Sequence, residues 1–583
     1  MVHPHVQPTS VSEKKSDNNN LIHGSQRNEN DVPVPLVGDA LEESDGAVDA
    51  SNHSFLATSS HLHGLRLFLV EIFIVTTSIV AITGELGDFD AASWILASYF
   101  FGYVTGLRIV HPDVYHLLGR LCSGQDHATS ISARYLNPKS LLDSLSIAPV
   151  RLTFTDISII LRAFQGVGGG GSCALATIAA IEIVPPEGYR TQMTYMGIAV
   201  MLALILGPIA GGGISSVTTW RWIFLLNVPI GVVGLVLAVV GIPAGFPHHH
   251  SKKLGSDKPT AVSQQRARPL DRLDLPGCLL LLMATMSIVA AFQEAGSRFS
   301  WGSAYFITLL VVSVLLWLAL VAWERRVTIA NAAREPVLPW RFLKSRFMVG
   351  TLLGIIPQGG PLTVTNLQIP QRFQLVGGYS SLDAGVRLIP FGVGLSAGTI
   401  LSANVAKRSK VPTIYTVMVG ALLQILGYAL LATGGSYIDI PPGVYGYQVI
   451  AGLGCGISFQ TLILNIPHVA EKRDHAVGMG AANQFRAIGS TLMVAVTTAL
   501  FNGFVFPRLS ELGISDPNRV IETYSHGGTV GIAEDVWNDA RGILPQGYNR
   551  QMYALVACGV AQVAVALLLW EKHPATTPVE GTS

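Results

Sequence analysis

Apolar runs of roughly the length needed to cross a bilayer recur thirteen times along this chain, and that repetition leaves few folds open. The hydrocarbon core of a membrane is about 30 Å thick and takes about 20 residues of helix to cross. Runs of that order lie near 65–84, 93–110, 157–183, 192–214, 222–243, 275–293 and 304–323, and again near 347–369, 386–404, 413–433, 443–465, 479–502 and 552–570. They are continuous rather than alternating, which excludes a β-barrel. Backbone that meets lipid must then bond within its own helix, so the fold class is an all-α integral membrane protein. Only 13 % of the residues are charged, where a soluble protein carries about 25 %. The 60 glycines fit helices that pack closely in lipid.

The polar stretches between the runs give the orientation. Lys and Arg collect in short loops on the cytoplasmic side. Here they gather at Lys252, Lys253, Lys258, Arg266, Arg268 and Arg272, at Arg325, Arg326, Arg334, Arg341, Lys344 and Arg346, at Lys407, Arg408 and Lys410, and at Lys472 and Arg473. These four groups are two spans apart, so all can face the cytoplasm together. Residues 1–62 carry nine acidic against three basic residues, lack the apolar content to fold, and read as a disordered cytoplasmic tail. On that side the sequon Asn52-His53-Ser54 would stay unmodified.

One stretch breaks the alternation. Residues 93–110 should run inward and 157–183 should begin outside, so 111–155 must cross once more. It contains His, Asp, Arg and Lys and no apolar run of span length. Charges at the bilayer centre cost roughly 2.5–3.5 kcal/mol each. Thirteen spans are visible where the alternation demands fourteen.

Several other chemistries do not assemble. The net charge of +1 gives no nucleic-acid surface. The five cysteines share no metal-ligand spacing and read as small buried residues. Gly168–Gly171 lack the Lys-Ser/Thr of a nucleotide loop, and His248-His249-His250 stand beside Lys252 and Lys253 in a basic loop. No constellation of an enzyme, no cofactor site and no metal site is expected.

Residue strings supply the positive reading. Leu161-Arg162-Ala163-Phe164-Gln165-Gly166-Val167-Gly168-Gly169-Gly170 places a cation inside an apolar run, where such residues face a water-filled cavity or an acidic partner; an Arg that merely snorkels to an interface is the alternative. Gly207-Pro208-Ile209-Ala210-Gly211-Gly212 combines a helix-bending Pro with missing side chains. Trp220-Arg221-Trp222-Ile223-Phe224-Leu225-Leu226-Asn227-Val228-Pro229-Ile230-Gly231 suits a headgroup layer. Gln374-Leu375-Val376-Gly377-Gly378-Tyr379-Ser380, Ala384-Gly385-Val386-Arg387-Leu388-Ile389-Pro390 and Gln484-Phe485-Arg486-Ala487-Ile488-Gly489 recur in the second half.

These strings resemble the signatures of the major facilitator superfamily, and specifically of its fourteen-span drug:proton antiporters of fungi. The resemblance covers about 65–110 and 157–570 and fades across the segment without a span. It departs there too: of the family's "GxLxDxxGR" loop only Gly119-Arg120 remains. A shifted reading frame, a retained intron or a mis-joined exon would account for both losses; divergence of the lineage is the other account.

The resemblance implies two six-helix bundles, at 63–243 and 347–570, with two extra central helices at 275–323 between cytoplasmic loops 244–274 and 324–346. An outer loop is expected at 503–551 and a short tail at 571–583. It implies proton-coupled export of a small amphipathic organic compound, a drug, toxin or secondary metabolite. Glu71, in Glu71-Ile72-Phe73-Ile74-Val75, falls where the family carries an acidic residue. A carboxyl held in an apolar run can take a proton. Glu71 and Arg162 are therefore the expected coupling pair, with an interfacial Glu71 as the alternative, and Gly207, Pro208, Gly211 and Gly212 the expected antiporter motif. Expected partners are the cargo, protons and lipid, in a monomer of the plasma membrane, with the vacuolar membrane as the alternative site. Three rival readings stand: a siderophore or other small-molecule carrier of the same fold, a non-transporting sensor, and a defective product.

Overall fold

The computed structural model describes residues 74–86, 92–109, 159–171, 189–226, 229, 274–295, 298–330, 336–408, 411–433, 441–470, 475–513 and 534–570. The tail at 1–62, Glu71, the segment 111–155 and most of the 244–274 loop lie outside them.

Among the described residues the chain is helical, with one isolated bridge between Ala295 and Phe299. The first half contributes α1 (Ile74–Thr76), α2 (Ile79–Leu86), α3 (Ala92–Ile109), α4 (residues 159–171), α5 (Tyr189–Val217) and α6 (Arg221–Leu225). The linker pair is α7 (Leu275–Glu294) and α8 (Ala304–Ala330). The second half contributes α9 (Trp340–Lys344), α10 (Arg346–Leu375), α11 (Ser381–Val386), α12 (Ile389–Arg408), α13 (Thr413–Ala432), α14 (Gly443–Val469), α15 (His475–Glu511) and α16 (Glu534–Ala566). Eight helical stretches among the described residues are long and apolar enough to cross a membrane.

The helices start and stop for local reasons. Asp274 caps α7 by accepting the Gly277 N–H at 3.1 Å, with Pro276 in the first turn. Ser345 caps α10 through the Met348 N–H. At its far end α10 closes on Gly378, in the left-handed region at φ 68. There the Gly378 and Tyr379 N–H groups donate to the carbonyls of Gln374 and Phe373. The span expected at 386–404 begins five residues earlier, at Ser381, and is interrupted between Val386 and Ile389.

The expected outer loop at 503–551 is corrected at both ends. Residues 503–511 continue α15 and 534–551 belong to α16. Phe501, Phe504, Val505 and Leu509 on the one and Ala540, Leu544 and Tyr548 on the other form a buried cluster with Val376. Apolar residues at helical spacing bury one face there although the sequence around them is polar. Helix α8 likewise runs seven residues past 323, carrying Glu324, Arg325 and Arg326 on its last turns.

The second half packs as a bundle, with α12 and α13 against α14, α10 against α15, and α16 against α13 and α10. Its interior is polar as well as apolar. Gln424 Nε2 donates to Gln358 Oε1 at 3.1 Å, Gln562 Oε1 at 2.9 Å and Ser458 Oγ at 3.1 Å. Gln358 donates to the Cys455 carbonyl at 2.9 Å. Tyr428 bonds Thr365 at 2.8 Å. Neutral side-chain bonds of this kind hold helices together where lipid offers no partner. Helix α8 presents Ile307, Val311, Val314, Leu315 and Leu318 outward, a largely apolar surface suited to acyl chains.

Candidate functional site: the seam between the two halves

Arg162 lies inside the N-terminal half, 2 % exposed. Close crossing of α3 and α4 makes its surroundings: Gly102 faces the Ala163 carbonyl and Gly166 faces the Tyr99 carbonyl, so a Cβ at either would strike backbone. The guanidinium stands 5.0 Å from the Phe224 ring centre and 5.6 Å from that of Tyr99, an arrangement that favours a cation through the ring quadrupoles. Its Nη1 donates to Gln165 Oε1 at 3.0 Å. The side chain is therefore enclosed among α3, α4 and α6.

The Gly207–Gly212 string sits where three helical elements meet. Thr77 Oγ1, between α1 and α2, donates to the Pro208 carbonyl at 3.1 Å. Ser78 Oγ donates to the Gly211 carbonyl at 3.0 Å, and Ser215 Oγ donates to the same oxygen at 2.7 Å. A Cβ on Gly211 would strike the Ile74 carbonyl, and one on Gly212 would strike the backbone of Ser381 in the other half. From the opposite side, a Cβ on Gly385 would stand 2.6 Å from the Pro208 carbonyl. The absence of side chains is what lets α5 touch α1 on one face and α11 on another.

Gln374, in the last turn of α10, ties this junction together. Its Nε2 donates to the Thr77 carbonyl at 3.1 Å, and its Oε1 accepts from Ser381 Oγ at 3.2 Å. One amide thus joins the C-terminal half to the N-terminal half directly. Sequence reasoning quoted Gln374 only as part of a motif and assigned it no role. The usable signal was a buried-length amide one turn before Gly377-Gly378, at the mouth of a span.

A second seam lies between α3 and α15. Ala97, Phe101 and Ala495 pack with Val289 of α7, flanked by Trp94, Ile288 and Phe292. Trp94 Nε1 donates to Glu294 Oε1 at 2.9 Å. The first seam uses the last turns of α5 and α10 and the start of α11, and the second the last turns of α7 and the first half of α3. Glu71 lies outside the described residues, so its expected pairing with Arg162 has no geometry here. No cluster of metal-ligating side chains occurs among the described residues.

The family model described as Major Facilitator Superfamily matches residues 144–295 and 286–494. The chain belongs to the major facilitator superfamily. The model match begins within the segment that lacks an apolar run and does not reach the first two spans. The MFS-type transporter FPY5 of Fusarium mangiferae, in contrast, is 31 % identical over 98 % of this chain and 93 % of its own length. The rubrofusarin-specific efflux pump aurT of Gibberella zeae is 25 % identical over 88 % of this chain and 90 % of its own. The dehydrocurvularin exporter of Aspergillus terreus is 27 % identical over 78 % and 75 %. Among solved structures, a bacterial homologue of the human lysosomal transporter Spinster aligns at TM-score 0.52 and 12 % identity, covering 90 % of this chain and 99 % of that one. A D-xylose–proton symporter aligns at TM-score 0.52 and 14 % identity, covering 90 % and 98 %. These share the major facilitator fold, and the chain is a multi-pass integral membrane protein of that superfamily.

Proposed function

We propose that this protein is a proton-coupled exporter of a small amphipathic organic compound, a secondary metabolite or drug, in the plasma membrane, working as a monomer. The observation that carries the reading is the position of Gly207–Gly212 on the seam between the halves. Bundles of this kind rock about a midplane cavity to expose it to each side in turn. A seam closed by backbone contact and a few neutral hydrogen bonds can part and close again at little cost, which is what an alternating carrier requires. The relatives named as a rubrofusarin-specific efflux pump and a dehydrocurvularin exporter support export as the direction and a metabolite as the cargo.

In this reading Glu71 takes and releases the proton. Arg162, fixed among Tyr99, Phe224 and Gln165, supplies the cation whose field changes the carboxyl's preference for that proton as the halves move. A membrane potential contributes roughly 2.3 kcal/mol per charge per 100 mV, with the pH gradient added to it, so no nucleotide is needed.

The test is transport in proteoliposomes loaded with a fluorescent amphipathic dye, with and without an imposed pH gradient. Gradient-driven dye movement that is lost in Glu71→Gln is expected. Dye movement indifferent to the gradient would sink the coupling, and movement only toward the gradient's proton-poor side, in step with the protons, would sink the direction.

A further inference from the structure

The C-terminal bundle contains a small cavity lined neither by Arg162 nor by any residue of the Gly207–Gly212 string. It is a space of about 20 Å³ among α10, α13, α14 and α16, lined by Gln368, Arg372 and Tyr548 together with apolar residues that include Phe373, Leu431 and Met552. A space of that size holds one water-sized body.

Its polar groups are all potential donors to an incoming ligand. Arg372 is half-buried and its guanidinium makes one side-chain hydrogen bond, from Nη1 to Asn549 Oδ1 at 3.1 Å. Among the described residues no carboxylate pairs with it, and none lines the cavity. Gln368 is 4 % exposed and Tyr548 2 % exposed. Neither the Gln368 amide nor the Tyr548 hydroxyl has a hydrogen-bond partner among the described residues, and both line the same space. The side chains of Gln368 and Tyr548 are buried while their polar atoms keep the capacity for a partner, and polar groups in such positions are ordinarily paired. The Tyr548 ring is held by Phe501 at 4.8 Å. Beside Phe501, the guanidinium groups of Arg508 and Arg550 lie 3.7 and 3.9 Å from the Phe504 ring centre.

We propose that Arg372, Tyr548 and Gln368 form a binding site for a small monovalent anion, either chloride or the carboxylate head of an acidic organic molecule. The guanidinium supplies the charge and a forked pair of donors, the phenol and the amide supply directed hydrogen bonds, and the apolar rim accommodates a hydrocarbon tail. The cavity admits the head of such a molecule and no more. The site is independent of proton coupling and of which compound the central cavity carries.

The experiment follows the thermal unfolding midpoint of the whole protein in phosphatidylcholine nanodiscs. Chloride or benzoate is titrated against sulfate, which is divalent and too large for the cavity, at constant ionic strength. A saturable rise in midpoint is expected, weakened about tenfold or more in apparent affinity by Arg372→Gln and by a smaller factor in Tyr548→Phe and Gln368→Leu. Arg508→Gln, an exposed neighbour outside the cavity, should bind as the parent does. Chloride acting without benzoate marks an inorganic ligand; benzoate displacing chloride marks the head of an organic one. Absence of a saturable rise overturns the proposal, as does a rise of equal size in Arg372→Gln. A rise produced only by phosphatidylglycerol in the disc, and by neither soluble anion, overturns it by giving Arg372 to lipid. If Arg372→Gln does not fold, unchanged affinity in both Tyr548→Phe and Gln368→Leu serves as the refutation.

Discussion

Replacing Gln374 with leucine removes one hydrogen bond that exists only while the two halves are closed at this end. The bond from Gln374 Nε2 to the Thr77 carbonyl joins α10 to the N-terminal half. The other, from Ser381 Oγ to Gln374 Oε1, lies within the C-terminal half and moves with it. Only the first weighs on the balance between closed and open forms, because a group shifts an equilibrium by its differential contact alone. Interhelical hydrogen bonds in membranes contribute about 0.6 kcal/mol on average and up to about 1.7 kcal/mol. The open-to-closed ratio should therefore rise about threefold to about twentyfold. Spin labels at Val217, which is 84 % exposed, and Val386, 44 % exposed, would report it as growth of the longer distance in a pulsed dipolar measurement. Thr77→Val is the matched control. It deletes the bond to the Pro208 carbonyl, which lies inside the N-terminal half, and should leave the ratio unchanged. Equal distance distributions in Gln374→Leu and the parent would refute the assignment of this amide as the clasp, and so would an equal shift in both variants.

Arg162→Lys keeps the charge but loses the planar fork that meets Gln165 and the two rings; dye export should fall at least tenfold with surface expression retained, and parental export would remove Arg162 from the mechanism. Gln424→Leu strips donors from Gln562 and Ser458 in the buried core; each orphaned buried group costs about 1–3 kcal/mol, so the unfolding midpoint should drop by several degrees, and an unchanged midpoint would mean the glutamines re-pair without it. Sequencing the transcript across codons 100–160 should reveal an apolar span in place of the present 111–155; a messenger identical to this sequence favours the defective-product reading, to be judged by whether the protein exports at all.

Hydropathy made the spans legible because lipid enforces length and continuity together. It misjudged their ends where helices leave the bilayer and pack on each other. Phe504, Val505 and Leu509 are too few and too interrupted by polar neighbours to read as a span, yet they bury one face against Leu544 and Tyr548. Arg162 drew notice because a charge in an apolar run is rare enough to ask for a reason, and the structure shows it buried. Gln374 drew none, since an amide carries no charge and its partner is a backbone carbonyl 297 positions away. The Gln358, Gln424 and Gln562 group was hidden in the same way, its members 66 and 138 positions apart.

Helix α7 fills the cleft between α3 and α15 with Ile288, Val289 and Phe292. Among the described residues the gap between the halves is plugged at that level by a part of the chain that belongs to neither, where a greasy molecule would otherwise enter sideways from the membrane. Because the plug touches both sides, a rocking stroke would slide along it, with Trp94 and Phe292 among the residues packed at that bearing surface.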